Sequence, residues 1–134
     1  MVDVRLQTEL VIQAEDRVGV VAEISRLLAD MGINLLSIMV RTEADRALVH
    51  LVTTSQSHAF DALRKAGFEV QERDVVLVEL PHHPGFLCKV SEALARKGLA
   101  VEELYATVPE DSSIGVVVFR CPDIRLAVQT LRGR

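Results

Sequence analysis

The amino-acid sequence predicts an α+β fold in which one unit of strands and helices occurs twice. Gly19 and Gly85 each precede a segment whose apolar residues recur at helical spacing, and Gly32 and Gly98 follow these segments. Both pairs of glycines are 66 positions apart. At the same spacing the chain repeats further residues: Val4 and Val70, Ser25 and Ser91, Leu28 and Leu94, Ala29 and Ala95, Asp45 and Asp111, Val52 and Val118. Because the repeat is close to half of the 134-residue chain, we expect two small domains in tandem.

The first repeat reads as strand, helix, strand, strand, helix, strand. Its opening segment alternates between apolar and polar residues, which is typical of a strand with one face in water. The next segment places its apolar residues on one face of a helix, at Val20, Val21, Ile24, Leu27, Leu28 and Met31. Ser55 is positioned to cap the second helix. The predicted elements are strand 2–14, helix 20–31, strands 33–41 and 47–54, a helix with Ala59, Phe60 and Leu63 inward, and strand 68–71.

The second repeat follows the same order but lacks the last strand. Its predicted elements are strand 75–80, a helix that begins at Pro84 with Phe86, Leu87, Val90 and Leu94 on one face, strands 99–108 and 114–120, and a helix capped by Asp123. Residues 3–5 align with residues 69–71, the closing strand of the first repeat. We therefore expect residues 2–6 to be a surplus edge strand that fills the open edge of the second repeat, in the same chain or in a partner. The predicted domains are 1–72 and 73–134.

This order of elements is that of the ferredoxin-like fold, in which an antiparallel sheet carries both helices on one face. The predicted architecture is therefore two ferredoxin-like βαββαβ units whose antiparallel sheets pack side by side, with the helices on one face. Many unrelated functions use this fold, so the function has to be argued from particular residues.

The composition excludes several classes of function. The net charge is −4, the longest basic run has two residues, and the aromatic residues are one tyrosine and four phenylalanines, so we expect no nucleic-acid binding. No apolar run approaches the roughly 20 residues of a membrane span, and the N-terminus does not resemble a signal peptide. Cys88 and Cys121 lack CxxC spacing, and we expect both to be reduced core residues of a cytoplasmic protein.

The residue pattern does not indicate catalysis, a metal site or a cofactor. Ser25 and Ser91 lie inside helices with no histidine near them in sequence, so no pair of nucleophile and base can be argued. His82 and His83 are sequence neighbours, which rarely point at one ion, and the other two histidines have no ligand spacing. We therefore expect a protein that is not an enzyme and that holds no cofactor.

Two joined features give the chain a specific resemblance. One is a polar turn that ends in glycine before a helix, Asp16-Arg17-Val18-Gly19 and His82-His83-Pro84-Gly85. The other is the step out of the first helix, Gly32-Ile33-Asn34-Leu35. Together they resemble ACT domains, the small-molecule-sensing modules of amino-acid metabolism. The resemblance covers nearly the whole chain as two tandem copies, similar to free-standing tandem ACT proteins without a catalytic domain.

The resemblance implies a ligand site at the seam where two ACT units pair. In that family an amino acid sits at the seam and is contacted by the turn and by the start of the second strand. Carried over, Asp16 would meet the ligand ammonium, and the backbone N–H groups of Val18, Gly19 and Val20 would meet its carboxylate at the helix N-terminus. Asn34 would offer its side-chain amide to the ligand. The full set of implied site residues is Asp16, Arg17, Val18, Gly19, Val20, Asn34, Leu35, His82, His83, Pro84, Gly85 and Phe86.

The second copy departs from this pattern, and simpler explanations exist for the first. Ala100 stands where the first copy has Asn34, and His82 stands where it has Asp16. Either one strong site is built on the first copy, or His82 and His83 complete a composite pocket. The glycines could serve the turns alone, Asp16 could favour the helix dipole, and Asn34 could bond to nearby backbone.

Three functions are compatible with these patterns. The first is a non-enzymatic regulatory module that binds an amino acid at the seam, forms a homodimer, and signals occupancy to a metabolic enzyme or regulator. The second is a protein–protein regulatory subunit without ligand, resembling the small subunit of acetolactate synthase. The third is a small ferredoxin-like enzyme, although Arg17 alone could supply the anion loop that an acylphosphatase needs.

Overall fold

The computed structural model describes residues 3–15, 18–81, 84–107 and 114–133. Within these residues the chain forms six strands and four helices. Their bounds are β1 Asp3–Glu15, α1 Val20–Asp30, β2 Leu35–Glu43, β3 Arg46–Thr53, α2 Gln56–Lys65, β4 Glu69–Pro81, α3 Phe86–Arg96, β5 Glu103–Thr107, β6 Ile114–Arg120 and α4 Ile124–Arg132.

The strands are hydrogen-bonded in the order β2-β3-β1-β4-β6-β5. β3 pairs antiparallel with both β1 and β2, and β6 pairs antiparallel with both β4 and β5. This mixed fold with an antiparallel sheet is consistent with ferredoxin-like units. β4 is one continuous strand where the sequence predicted two, because Glu72-Arg73-Asp74 contains no glycine or proline to interrupt it.

The chain divides into two compact units. Thr8–Arg73 forms one of them, which we call the central unit. Met1–Gln7 and Asp74–Arg134 together form the other, which we call the split unit. Strands β1 and β4 therefore each contribute one segment to each unit.

The core of the central unit lies between its helices and one face of its strands. The register pairs Leu10 with Leu51 and Ile12 with Val49, and all four side chains are fully buried with residues of α1 and α2. Helix α1 buries Val20, Ile24 and Leu28, as its periodicity predicted. Val21 and Met31 were predicted inward and are exposed, because α1 buries only the stripe at every fourth residue.

The core of the split unit includes an N-terminal residue. Val4 is buried among residues of β4, α3, β6 and α4, and the Nε atom of Arg132 donates to its carbonyl oxygen at 2.8 Å. Asp123 caps α4 as predicted, accepting from the backbone N–H of Leu126 at 3.0 Å. Ser55 precedes α2 but makes no capping bond; the Gln56 side chain instead accepts from the N–H of Thr53 at 3.0 Å.

The spacing between equivalent residues changes along the chain. In the central unit Val11 faces His50 across the sheet, and in the split unit Leu77 faces Val118. The first strands of the two units, β1 and β4, therefore correspond at a spacing of 66 residues, whereas β3 and β6 correspond at a spacing of 68. Two extra residues therefore lie between α3 and β6 in the split unit. The match of Val52 with Val118 was therefore wrong, since Val118 occupies the place of His50.

Candidate functional site

A glycine in the left-handed region precedes the first helix of each unit. Gly19 has φ 91° and ψ 1°, and Gly85 has φ 88° and ψ −8°. A Cβ atom added at either glycine would meet no atom within 4 Å. Glycine is therefore needed at both positions for its backbone conformation and not for lack of space.

The turn at Gly19 places a residue without a side chain at the cap position of α1. The N–H of Glu23 donates to the carbonyl of Gly19 at 2.9 Å, and Gly19, the residue at the cap position, has no side chain that could cap the helix. The preceding N–H groups have no acceptor inside an α-helix, and the helix dipole adds positive potential there. Val18 and Gly19 are exposed, whereas the Val20 side chain is buried. This arrangement can bind a carboxylate through main-chain N–H groups.

Asn34 is held by its backbone and presents its side chain to solvent. Its N–H donates to Thr54 Oγ1 at 3.2 Å, and its carbonyl accepts from the Thr54 N–H at 3.0 Å. Within the described residues the Asn34 side-chain amide makes no hydrogen bond. Local bonding to the backbone of these residues therefore does not explain the asparagine at position 34. Leu35, the first residue of β2, is also exposed.

The structure does not bring the Gly19 turn and Asn34 together within the central unit. They lie at opposite ends of α1, whose 11 residues span about 16 Å. The strand register agrees, because Glu15 pairs with Arg46 at one end of β3 and Leu35 pairs with Thr53 at the other. One small molecule therefore cannot touch both groups of a single unit.

The corresponding turn of the split unit is built from a different set of side chains. Phe86 packs against the core of that unit, and the Nζ atom of Lys89 lies 5.8 Å from the centre of its ring. Pro84 precedes the cap position and is not the first helical residue that the sequence predicted, since Gly85 caps α3. Ala100, the counterpart of Asn34, is exposed. Asp16, Arg17, His82 and His83 lie outside the described residues, so their place in the site stays a prediction.

The central unit contains a cavity that the sequence did not indicate. Its volume is about 410 Å³, and it is lined by Gln13, Ala14, Glu15, Arg46, Gly67, Phe68 and Glu69. The Nη2 atom of Arg46 lies 3.3 Å from Gln13 Oε1 and 3.6 Å from Glu69 Oε2. The lining comes from three separate segments of the central unit, and no local sequence motif signals such a convergence.

The two cysteines differ in environment. Cys121 is buried as predicted, and burial raises the pKa of its thiol. Cys88 was predicted in the core and is exposed, because its position on α3 lies off the buried stripe of Val90 and Leu94. Its Sγ atom donates to Glu92 Oε1 at 2.9 Å, and this bond together with the carboxylate charge raises the pKa of the Cys88 thiol. Neither environment favours a reactive thiolate.

The comparison with protein families finds a match in the first half of the chain. Residues 8–68 match the family model of the ACT domain. The matched segment begins at the same residue as the central unit and contains α1, the Gly19 turn and Asn34. A search of curated protein sequences finds no match. None of the helices in the described part of the chain has the length and apolar character that a membrane span requires.

Solved structures resemble nearly the whole chain and not only the matched residues 8–68. Protein BT0572 from Bacteroides thetaiotaomicron is 26% identical, with a TM-score of 0.88 over 97% of this chain and 89% of that chain. The ligand-free regulatory subunit of aspartate kinase from Thermus thermophilus is 20% identical, with a TM-score of 0.72 over 98% and 95%. The regulatory subunit of aspartate kinase from Thermus flavus is 19% identical, with a TM-score of 0.66 over 98% and 95%. The two kinase subunits share the fold with this chain.

Proposed function

We propose that the chain is a non-catalytic regulatory module that binds an amino acid and signals its presence to a metabolic enzyme. The observation that carries this proposal is the match of residues 8–68 to the ACT domain model, because this segment contains the Gly19 turn, where a glycine occupies the cap position at a helix start. The split unit is proposed as a second ACT unit, because it has the same order of elements and the same left-handed glycine at Gly85.

The proposed ligand lies at a seam between ACT units of two copies of the chain. The N–H groups of residues 18–20 bind its carboxylate, and Asp16, beside Arg17, receives its ammonium group. Because Asn34 lies at the far end of α1, the amide that completes the site comes from the other copy. Leu35, the next residue along the chain and the first of β2, adjoins that amide.

The edge strand β2 supports a homodimer as the assembly that forms this seam. In the described sheet β2 stands at the end of the strand order and pairs with β3 alone. Its residues Leu36, Ile38 and Val40 are exposed. The register places Ile38 beside Leu51 and Val40 beside Val49, on the face that carries the helices. An open apolar edge of this kind favours pairing with another strand.

The strong site is proposed for the central unit. The split unit has Ala100 in place of Asn34, and a methyl group can neither donate nor accept a hydrogen bond. His82, His83, Pro84, Gly85 and Phe86 therefore form a weaker site, or one that serves a different ligand. The partner is proposed to be a metabolic enzyme, since similar folds occur in proteins described as regulatory subunits of aspartate kinase.

Ligand-dependent thermal stability tests this function. The purified chain is heated with each standard amino acid at millimolar concentration. A ligand at a hundredfold excess over its dissociation constant stabilises the folded state by about 2.7 kcal/mol, a rise of several degrees in Tm. We expect one amino acid to give this rise, and Asn34→Ala to abolish it. Gln71→Ala, which removes another exposed side-chain amide, is the matched control and should keep the rise. No rise with any amino acid would contradict the proposal and favour a subunit that acts without ligand.

A further inference from the structure

Strand β1 runs from the core of the split unit to the turn that is proposed to bind the ligand. Its residues 8–15 belong to the central unit, and its residues 3–7, which we call the strap, belong to the split unit. The whole of β1 is one strand without glycine or proline, so it has no point at which the backbone bends easily. Its 13 residues span about 40 Å.

The end of β1 that lies in the central unit packs against the start of α1. Ala14 is buried together with Val20, the first residue of α1, and with Ala47 of β3. Val20 directly follows Gly19, and its N–H is one of the groups proposed to bind the ligand carboxylate. A ligand that fixes this turn therefore also fixes Val20 on Ala14, and through Ala14 it restrains β1, because closely packed interiors transmit displacements.

The other end of β1 is anchored in the split unit mainly at one residue. Among residues 3–7, Val4 is the one buried side chain, at 3% exposure, and it packs with residues of β4, β6, α3 and α4. The Nε atom of Arg132, the last residue of α4, donates to the Val4 carbonyl at 2.8 Å. Leu6 is 46% exposed. A segment that buries so little apolar surface opens at a lower free energy than the whole unit, so the strap can detach from β4 by itself.

The repeated fold contains a second strand of this kind, but its closing segment is held differently. β4 runs in the same way from the central unit into the split unit. Val70, the counterpart of Val4, is only partly buried. Arg64, the counterpart of Arg132 at the spacing of 68, lies over the Phe60 ring, 5.5 Å from its centre. Among the described residues, an arginine therefore holds the closing segment of the split unit and not that of the central unit.

We propose that β1 transmits occupancy of the Gly19 turn to the strap, so that ligand bound to the central unit keeps the split unit closed. This route rests on the proposed function, because it starts at the proposed ligand site. In the closed state Val4 is seated in its core and bonded by Arg132, and in the open state the strap is detached. Ligand favours the closed state because closure holds β1, and with it Ala14 and Val20, in the arrangement that the ligand binds.

A thiol at the anchor of the strap reports its opening. Val4→Cys places this thiol in the core of the full chain, and Cys88→Ser removes the exposed natural thiol. Cys121 lies in the same core and reports larger openings of the split unit. The chain is reduced and then exposed to iodoacetamide, and mass spectrometry of its peptides measures the two labelling rates. We expect labelling at position 4 to be about tenfold faster than at Cys121, because the strap opens alone. Equal rates overturn the proposal.

The effect of ligand is measured on the same chain. The amino acid that raises Tm in the thermal screen is added at a hundredfold excess over its dissociation constant. Labelling at position 4 should slow by about tenfold, which is typical of the coupling between two sites. An unchanged rate, with the rise in Tm present, overturns transmission along β1 and leaves the ligand site in place. If Val4→Cys prevents folding, hydrogen exchange of residues 3–7 in the unaltered chain decides the same two outcomes.

Strain at the turn tests the route without ligand. Gly19→Ala disturbs the turn before Val20, and Gly32→Ala is its matched control. Gly32 also has a positive φ, 69°, with nothing within 4 Å of an added Cβ, and it lies beyond the opposite end of α1. In the Val4→Cys chain, Gly19→Ala should label position 4 several times faster than Gly32→Ala does. Equal rates would show that the turn does not act on the strap and would overturn the proposal. If no amino acid raises Tm, the proposed function fails, and this comparison still decides whether β1 transmits.

Discussion

Gly19 offers a sharp test of the link between backbone conformation and ligand binding. With φ at 91°, a residue with a Cβ atom is strained, and the left-handed conformation costs such a residue about 1–2 kcal/mol. Replacing glycine also restricts the unfolded chain, which offsets about 0.4–1 kcal/mol of that cost. Because an added Cβ meets nothing within 4 Å, no clash is added. Gly19→Ala should therefore lower the free energy of unfolding by about 1 kcal/mol, a fall of several degrees in Tm.

Gly67 supplies the matched control for this change. It has φ 93° in the same unit, and an added Cβ would also meet nothing within 4 Å. Gly67→Ala should lose a similar stability in urea unfolding but keep the ligand-dependent rise in Tm. Gly19→Ala should lose most of that rise, because relief of the strain reorients the N–H groups of the turn. Equal loss of the rise in both variants, or full binding by Gly19→Ala, would refute the assigned role of the turn.

The remaining predictions concern buried charge, helix capping and thiol reactivity. Glu9→Val alone should lower the free energy of unfolding by about 3 kcal/mol, because it removes the carboxylate that His50 and Arg73 share. Adding His50→Val should recover most of the lost free energy, as measured by urea titration. Asp123→Ala should cost about 1 kcal/mol through the lost cap of α4, whereas Ser55→Ala should cost much less because Ser55 makes no capping bond. Glu92→Gln removes the carboxylate that raises the pKa of Cys88, so the thiolate fraction at pH 8 rises and iodoacetamide should modify Cys88 several times faster; an unchanged rate would show that Glu92 does not control this thiol.

Local patterns were sufficient to predict most of the elements and the two glycine turns. Helix α1 follows from apolar spacing and from Gly32, and the two turns follow from glycines that stand before amphipathic segments. These signals are local, because backbone conformation and amphipathic spacing are set within a few residues. Asn34 was singled out for its side-chain amide, and its role as a ligand contact stays a prediction. Its position at the opposite end of α1 from Gly19 follows equally from the length of the helix.

Long-range features were beyond prediction from these patterns. Glu9, His50 and Arg73 meet only because three strands align, and nothing in their sequence spacing indicates contact. The same holds for the cavity beside Arg46, whose walls come from three segments. The exposure of Cys88 depends on which face of α3 meets the sheet. The apolar pattern of this helix is too short to predict whether a single residue such as Cys88 is buried. The two extra residues before β6 shifted the repeat, so a constant spacing misassigned Val118.

The separation of Gly19 and Asn34 decides whether the proposed site belongs to one copy or to two. If each seam takes its turn from one copy and its amide from the other, both Gly19→Ala and Asn34→Ala homodimers are defective at every seam. Unfolding and refolding an equal mixture gives about half mixed dimers by random pairing, and each of these has one intact seam and one doubly defective seam. Titration calorimetry should then recover about one quarter of the wild-type sites at wild-type affinity. Recovery of none, with mixed dimers confirmed by mass spectrometry, would place both groups on the same copy and remove the two-copy seam from the proposal.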